Sequence, residues 1–195
     1  MLRILSLCGS LRAGSSNAAA LAAARALAPP DVRFAPYDGL GGLPHFNPDL
    51  EDAALPEPAR RFREAVAQAD GVLICSPEYA HGMPGAFKNA LDWLVGGVEM
   101  NGKPVAVINI SPRAVHAHEQ TLEVLRMIAA DVGEYSSILA PVPAGPVTEA
   151  SLLADEAFSG KLAAGLAAFV DVVRAVVDTR AGEGGEAARI KPSEG

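Results

Sequence analysis

The stretch Gly9-Ser10-Leu11-Arg12-Ala13-Gly14-Ser15-Ser16-Asn17 decides how this chain is read. An apolar run at residues 4–8 precedes it, and an Ala/Leu-rich segment at residues 18–28 follows. That order spells strand, tight turn, helix. The turn opens where a helix begins, so unpaired backbone N–H groups and the positive end of the helix dipole make it a place for an anion. The side chains agree with the backbone. Ser10, Ser15, Ser16 and Asn17 carry hydrogen-bond donors, Arg12 adds a permanently charged fork, and Gly9 and Gly14 let the chain bend close. No acidic residue lies between Met1 and Pro30. A simple helix cap would account for Ser15 or Ser16 alone; Arg12 between two glycines points to a phosphate. The loop matches neither G-x-x-x-x-G-K-[ST] nor G-x-G-x-x-G, and the first lysine after it is Lys88, so a monophosphate fits better than a triphosphate.

Outward from this loop, strand patterns recur at residues 4–8, 32–37, 71–76, 104–110 and 135–140. The runs at 71–76 and 104–110 are apolar on both faces, as strands covered on both sides require. Helical patterns separate them at residues 17–28, 57–68, 84–95, 115–132 and 152–177. Alternation of this kind predicts an α/β fold: a three-layer sandwich joined by right-handed crossovers. Five strands point to the flavodoxin-like parallel order 2-1-3-4-5, in which ligands sit at the carboxyl ends of strands 1 and 3. Residues 38–58 form a long Gly-, Pro- and Asp-rich connection, which Leu40, Leu43 and Phe46 are expected to pack down beside the binding site. Hydrophobicity falls after Val177. The expected organisation is one domain over residues 1–178 and a polar tail over 179–195, frayed or docked by a partner.

The 195 residues are 50% hydrophobic and 20% charged, enough for one domain with a sizeable core. A net charge of −7 argues against broad nucleic-acid or anionic-membrane binding. No run approaches a membrane span, and the opening residues do not read as a signal peptide, so a cytoplasmic protein is expected. Two cysteines build no disulfide framework; Cys8 and Cys75 end neighbouring strands and are expected to be two buried thiols.

The third strand runs into Pro77-Glu78-Tyr79-Ala80-His81-Gly82-Met83-Pro84-Gly85, with Lys88-Asn89 and Asp92-Trp93 beyond. Beside the phosphate loop, an apolar and partly aromatic loop of this kind suits a flat heteroaromatic ring. G-S-L-R-x-x-S-x-N followed by P-E-Y-x-x-x-x-P-G-x-x-K-N-x-x-D-W closely resembles the NAD(P)H-dependent FMN reductase family, which includes quinone, azo and chromate reductases. The resemblance runs from the first strand to about Val132. It implies that Ser10, Arg12, Ser15 and Asn17 surround the FMN phosphate, with Ser16 at a variable position, and that Pro77, Glu78, Tyr79 and Gly82 lie along the isoalloxazine ring. It also implies a homodimer or homotetramer. Two positions depart from the family pattern. Ala80 stands where relatives often have Asn, and Ser111-Pro112-Arg113-Ala114 lacks the glycine pair common after strand 4.

Other residues divide between chemistry and packing. Glu78 could instead hydrogen-bond backbone amides, and Tyr79 could only pack. Asp92-Trp93 reads as packing at a helix end or a subunit contact. His116 and His118, two apart on a helix, point away from each other and do not suggest a metal. His81 and His45 fall in loops on the ligand side. Ser111 and Arg113 follow strand 4 on that same side, where Arg113 faces the flavin, the nicotinamide phosphate or solvent. The candidate cofactor contacts are thus Ser10, Arg12, Ser15, Ser16, Asn17, Pro77, Glu78, Tyr79, Ala80, His81, Gly82, Ser111 and Arg113, with no catalytic acid–base residue and no metal. The expected activity is ping-pong hydride transfer from NADPH or NADH through FMN to a small acceptor such as a quinone, azo compound, metal oxyanion or free flavin. The alternatives are an FMN-binding electron carrier or redox sensor without turnover and, more weakly, a dinucleotide binder using Asp38.

Overall fold

The computed structural model describes residues 1–53 and 55–187. Five parallel strands, β1 (Leu2–Cys8), β2 (Val32–Tyr37), β3 (Gly71–Cys75), β4 (Val105–Asn109) and β5 (Ser137–Leu139), form one sheet in the order 2-1-3-4-5. The helices are α1 (Ser16–Ala26), α2 (Asp49–Ala53), α3 (Glu57–Ala67), α4 (Gly85–Asp92), α5 (Val115–Met127), α6 (Glu149–Ala154) and α7 (Glu156–Ala187). The flavodoxin-like three-layer arrangement expected from the alternation of patterns is the one observed.

Strand side chains alternate between faces, and the core divides accordingly. Ile4, Leu73, Cys75, Ala106, Ile108 and Ile138 meet α1, α6 and α7 on one face. Leu5, Leu7, Val72, Ile74, Val105 and Val107 meet α3, α4 and α5 on the other. Phe158, Leu162, Leu166, Phe169 and Val173 recur every three or four residues along α7, so one stripe of that helix closes the first face. β3, central in the sheet, is buried along its whole length.

Several boundaries differ from expectation, each for a local reason. The helix expected over 115–132 ends at Met127, because Ala129 takes a left-handed φ of 61° and the chain turns back so that Asp131 bridges Pro104. The helix expected over 152–177 is two helices broken at Asp155, which is extended and accepts the Phe158 N–H on its Oδ1 at 2.7 Å. An aspartate at that spot is a helix N-cap. At the other end, α7 continues past Val177 to Ala187, so the segment expected to be a tail from residue 179 is helical for its first nine residues; 188–195 lie outside the described residues. The connection over 38–58 carries a 3₁₀ turn at Leu40–Gly42 and the short α2.

That connection is fastened to α4. The Pro44 carbonyl accepts from Asn89 Nδ2 and from Trp93 Nε1, both at 2.9 Å, and the Phe46 N–H donates to Asn89 Oδ1 at 2.8 Å. Phe46 meets Trp93 edge to face with ring centroids 5.1 Å apart. Trp93 itself is fully buried, in the packing role read for it from the sequence.

Candidate functional site

The carboxyl ends of β1, β3 and β4 open on one side of the sheet, and their loops define a cleft of about 390 Å³. This falls within the range of small-molecule sites, about 300–1,000 Å³. Ser16 and Asn17 border it from the start of α1, Pro77 and Glu78 from the loop after β3, and Ser111 and Arg113 from the loop after β4. Sequence reading missed Ser76, Asn109, Ile110, Ala114 and Val142, which complete the lining. Ser76 and Asn109 stand at the ends of β3 and β4, a position that carries the signal; the small or apolar side chains of Ile110, Ala114 and Val142 carry none.

Close approach of the first two loops depends on Gly9. Its N–H donates to the Cys75 carbonyl at 2.9 Å, and a Cβ at this position would fall 2.2 Å from Ser76 Oγ. Only glycine leaves room for β1 and β3 to deliver their loops side by side. Ser15 is buried and caps α1, its Oγ accepting from the Asn17 N–H at 3.2 Å. Its hydroxyl oxygen is therefore already committed to the helix, and the plain capping role weighed against a phosphate contact is present. Ser10 Oγ accepts from the Arg12 N–H at 3.3 Å, bracing the bend. The Arg12 side chain is exposed and, among the described residues, enters no ion pair. The buried Asn17 side chain accepts from the Cys75 thiol at 3.2 Å through Oδ1, which leaves its amide N–H groups as donors.

Glu78 borders the cleft, but its Oε2 accepts the Ala117 N–H at 2.9 Å. This carboxylate caps α5, whose own N-cap, Ala114, offers no side-chain acceptor. The backbone-amide role weighed for Glu78 from sequence is the one its geometry shows. The Asn109 side chain orders the next loop: its Oδ1 accepts from the Ser111 N–H at 2.9 Å and its Nδ2 donates to the Ala114 carbonyl at 3.1 Å.

Tyr79-Ala80-His81-Gly82 lie outside the cleft lining and form a two-residue hairpin. The Tyr79 and Gly82 N–H groups donate to each other's carbonyls at 3.0 Å. Ala80 and His81 have φ of 51° and 59°, the pattern of a type I′ turn. Alanine is strained there, whereas Asn visits the left-handed region more readily. Ala80→Gly is expected to stabilise the protein by about 0.5–1 kcal/mol, read as a raised urea midpoint; a lower midpoint would refute the strain. His81 stacks on His116 with ring centroids 4.6 Å apart, and Gln120 of α5 reaches the hairpin through the Met83 N–H and His81 carbonyl. His118 turns elsewhere, its Nε2 2.7 Å from Ser137 Oγ, and burial pushes its pKa down. His45 is exposed. Asp38 lines a separate cavity between α1 and β2, on the far side of α1 from the cleft.

The strand order, the glycine-dependent loop contact and an arginine with no ion pair among the described residues, beside the N-terminus of α1, are features that suit a phosphorylated planar ligand. The family model for NADPH-dependent FMN reductase matches residues 2–140. The chain belongs to this family. Within the NADPH-dependent FMN reductases, a 2-hydroxy-1,4-benzoquinone reductase of a Burkholderia species is 44% identical over 117 residues, 58% of this chain and 63% of that protein. An NAD(P)H-dependent FMN reductase of Pseudomonas aeruginosa is 39% identical over 112 residues, 56% of this chain and 60% of its own. The matches thus span less than two thirds of either relative. Among solved structures, the flavoenzyme NAD(P)H:acceptor oxidoreductase FerB of Paracoccus denitrificans superposes with a TM-score of 0.71 at 26% identity, over 89% of this chain and 98% of that one. The family cofactor, FMN, fits the donor set: a cation, open amides at a helix start, and a cleft with Pro77 and Ile110 among its walls.

Proposed function

We propose that this chain is an NAD(P)H-dependent FMN oxidoreductase that passes electrons to a small acceptor of the quinone class. The observation that carries the reading is the cleft at the ends of β1, β3 and β4, bordered by Ser16 and Asn17 where the Arg12 loop enters α1, by Pro77 and Glu78, and by Arg113. When bound, FMN supplies the hydride-accepting and electron-donating chemistry. The chain's own groups place it. Arg12, Ser10 and the first amides of α1 hold the phosphate; Pro77 and the loop after β4 set the plane of the ring; Arg113 at the rim meets the anionic nicotinamide donor. Nicotinamide and acceptor occupy the remaining opening in turn, which is the basis of a ping-pong cycle.

No side chain need move a proton. Glu78 is committed to α5, and the Tyr79–Gly82 hairpin stands at the border. Tyr79→Phe and His81→Ala are therefore expected to slow anaerobic flavin reduction by less than about tenfold, under about 1.4 kcal/mol of barrier. A thousandfold loss with FMN retained would demand an acid–base residue. A homodimer, or a tetramer built from it, is the proposed assembly: Leu11, Tyr79 and Val115 are large apolar side chains left exposed on the loops and helix start that follow β1, β3 and β4, and a second copy would cover them. Two thiols without a disulfide suit a reducing, cytoplasmic setting. No helix among the described residues is long and apolar enough to cross a membrane.

The deciding experiment is an absorption spectrum of the purified protein with FMN, then anaerobic NADPH, then quinone. The flavin band should bleach with NADPH and return with quinone. Persistence of the oxidised band would overturn the proposal. Bleaching without steady turnover would favour the electron carrier instead.

A further inference from the structure

Cys8 and Cys75 are direct register partners at the carboxyl ends of β1 and β3, and both are free thiols. Their side chains point to the same face of the sheet, where Cys75 is a core member and Cys8 packs against that core. Neighbouring strands lie about 4.8 Å apart, inside the span of about 4.4–6.8 Å between α-carbons that a disulfide bridges. Each thiol also holds the phosphate loop. The Cys75 Sγ–H donates to Asn17 Oδ1 at 3.2 Å, and the Cys8 Sγ–H donates to the Ser10 carbonyl at 3.5 Å. The two cysteines differ in access. Cys75 is fully buried, whereas Cys8 lines a cavity of about 140 Å³ with Ser6, Leu21, Arg25, Tyr37 and Asp38, away from the flavin cleft.

We propose that Cys8 and Cys75 form a peroxide-sensitive thiol pair whose oxidation to a disulfide loosens the FMN phosphate loop. A small hydroperoxide enters the cavity beside Cys8. The Cys8 sulfur, its proton lost to water, attacks the peroxide oxygen; the O–O bond breaks, and Cys8 becomes a sulfenic acid as hydroxide or alkoxide leaves and takes up a proton. The Cys75 sulfur then attacks the Cys8 sulfur, the S–O bond breaks, and water leaves. One hydrogen peroxide is reduced to two waters, and two thiols are oxidised to one disulfide. The order follows from burial, which holds the Cys75 thiol well above the usual pKa, with the neighbouring Cys8 adding to the effect. Cys75 thus serves as the resolving partner.

The disulfide removes both S–H donors from the loop, and it does so beside the close approach of Gly9 to Ser76, where the two loops have little room to adjust. FMN and the reduced pair therefore favour each other, and by linkage the coupling is reciprocal. The effect on FMN rests on the proposed function; the cross-link does not.

The test treats the full chain with hydrogen peroxide, with and without FMN, and maps peptides under non-reducing conditions. The expected product is an intramolecular Cys8–Cys75 peptide, formed more slowly with FMN present and reversed by dithiothreitol. The FMN dissociation constant should rise about fivefold or more in the oxidised form, the lower bound of ordinary site-to-site coupling. Cys75→Ala, which removes the buried thiol without adding a polar group, should stop at a Cys8 sulfenic acid trapped by dimedone; Cys8→Ser should give neither product. Overoxidised Cys8 with Cys75 still a thiol in the unsubstituted chain, or linkage between two chains, would overturn the pair. A cross-link that leaves FMN affinity unchanged would overturn the coupling. Failure of both redox forms to bind FMN would overturn the flavin reading, while the peptide map decides the cross-link by itself.

Discussion

Arg12→Ala is expected to raise the FMN dissociation constant roughly 10- to 150-fold, a loss of about 1.5–3 kcal/mol, the scale of charge-assisted hydrogen bonds. The guanidinium stands exposed on a loop without a single acidic residue, and among the described residues no carboxylate competes for it. Its removal should leave folding untouched, because nothing packs on its charge. Riboflavin, which lacks the phosphate, is the control. A flavin titration in which FMN and riboflavin weaken equally would remove Arg12 from the phosphate site and assign it to the ring or to the loop's shape.

Trp93→Ala should be the most destabilising single change, at about 3–5 kcal/mol. The indole is fully buried, packs edge to face on Phe46 and donates to the Pro44 carbonyl. Truncation opens a cavity and leaves that carbonyl with only the Asn89 bond. The connection over residues 38–58 should then detach from α4 before the sheet opens. Hydrogen exchange at the Phe46 amide, which is protected by Asn89, would report that detachment alongside the lower urea midpoint. A cost below about 1 kcal/mol would mean that the surrounding core collapses onto the space.

The sheet was legible because its signals are repetitive and local. Apolar runs marked β1, β3 and β4, and Pro36 did not hide the edge strand β2, whose alternation survives. The ends of helices were harder. Nothing in the Ala129 side chain announces a left-handed residue, and the turn there is imposed by Asp131 returning to pair beside β4. The length of α7 escaped because hydrophobicity falls after Val177, whereas the helix runs on to Ala187. In the site, loop chemistry was visible and partner choice was not. Glu78 reads equally well as a ring contact or a helix cap until α5 is seen to present the Ala117 amide, 39 residues away. Ser76 and Asn109 offered no motif; their importance comes from standing at strand ends, which only the register reveals.

The stripe of α7 that closes one face of the sheet joins the two ends of the described chain: Ile4 of β1 shares a core with Phe169 and Val173. That pairing has a consequence for biosynthesis. A ribosome adds about 5–20 residues per second, so roughly 8–30 s separate the synthesis of Ile4 from that of its lid. In that interval α3 and α4 can shelter the opposite face, while the face of Ile4, Leu73 and Ile108 waits with only α1, and at the last the short α6, upon it. A nascent chain stalled before α7 would present a greasy half-sheet to its neighbours, and chaperone demand should peak there.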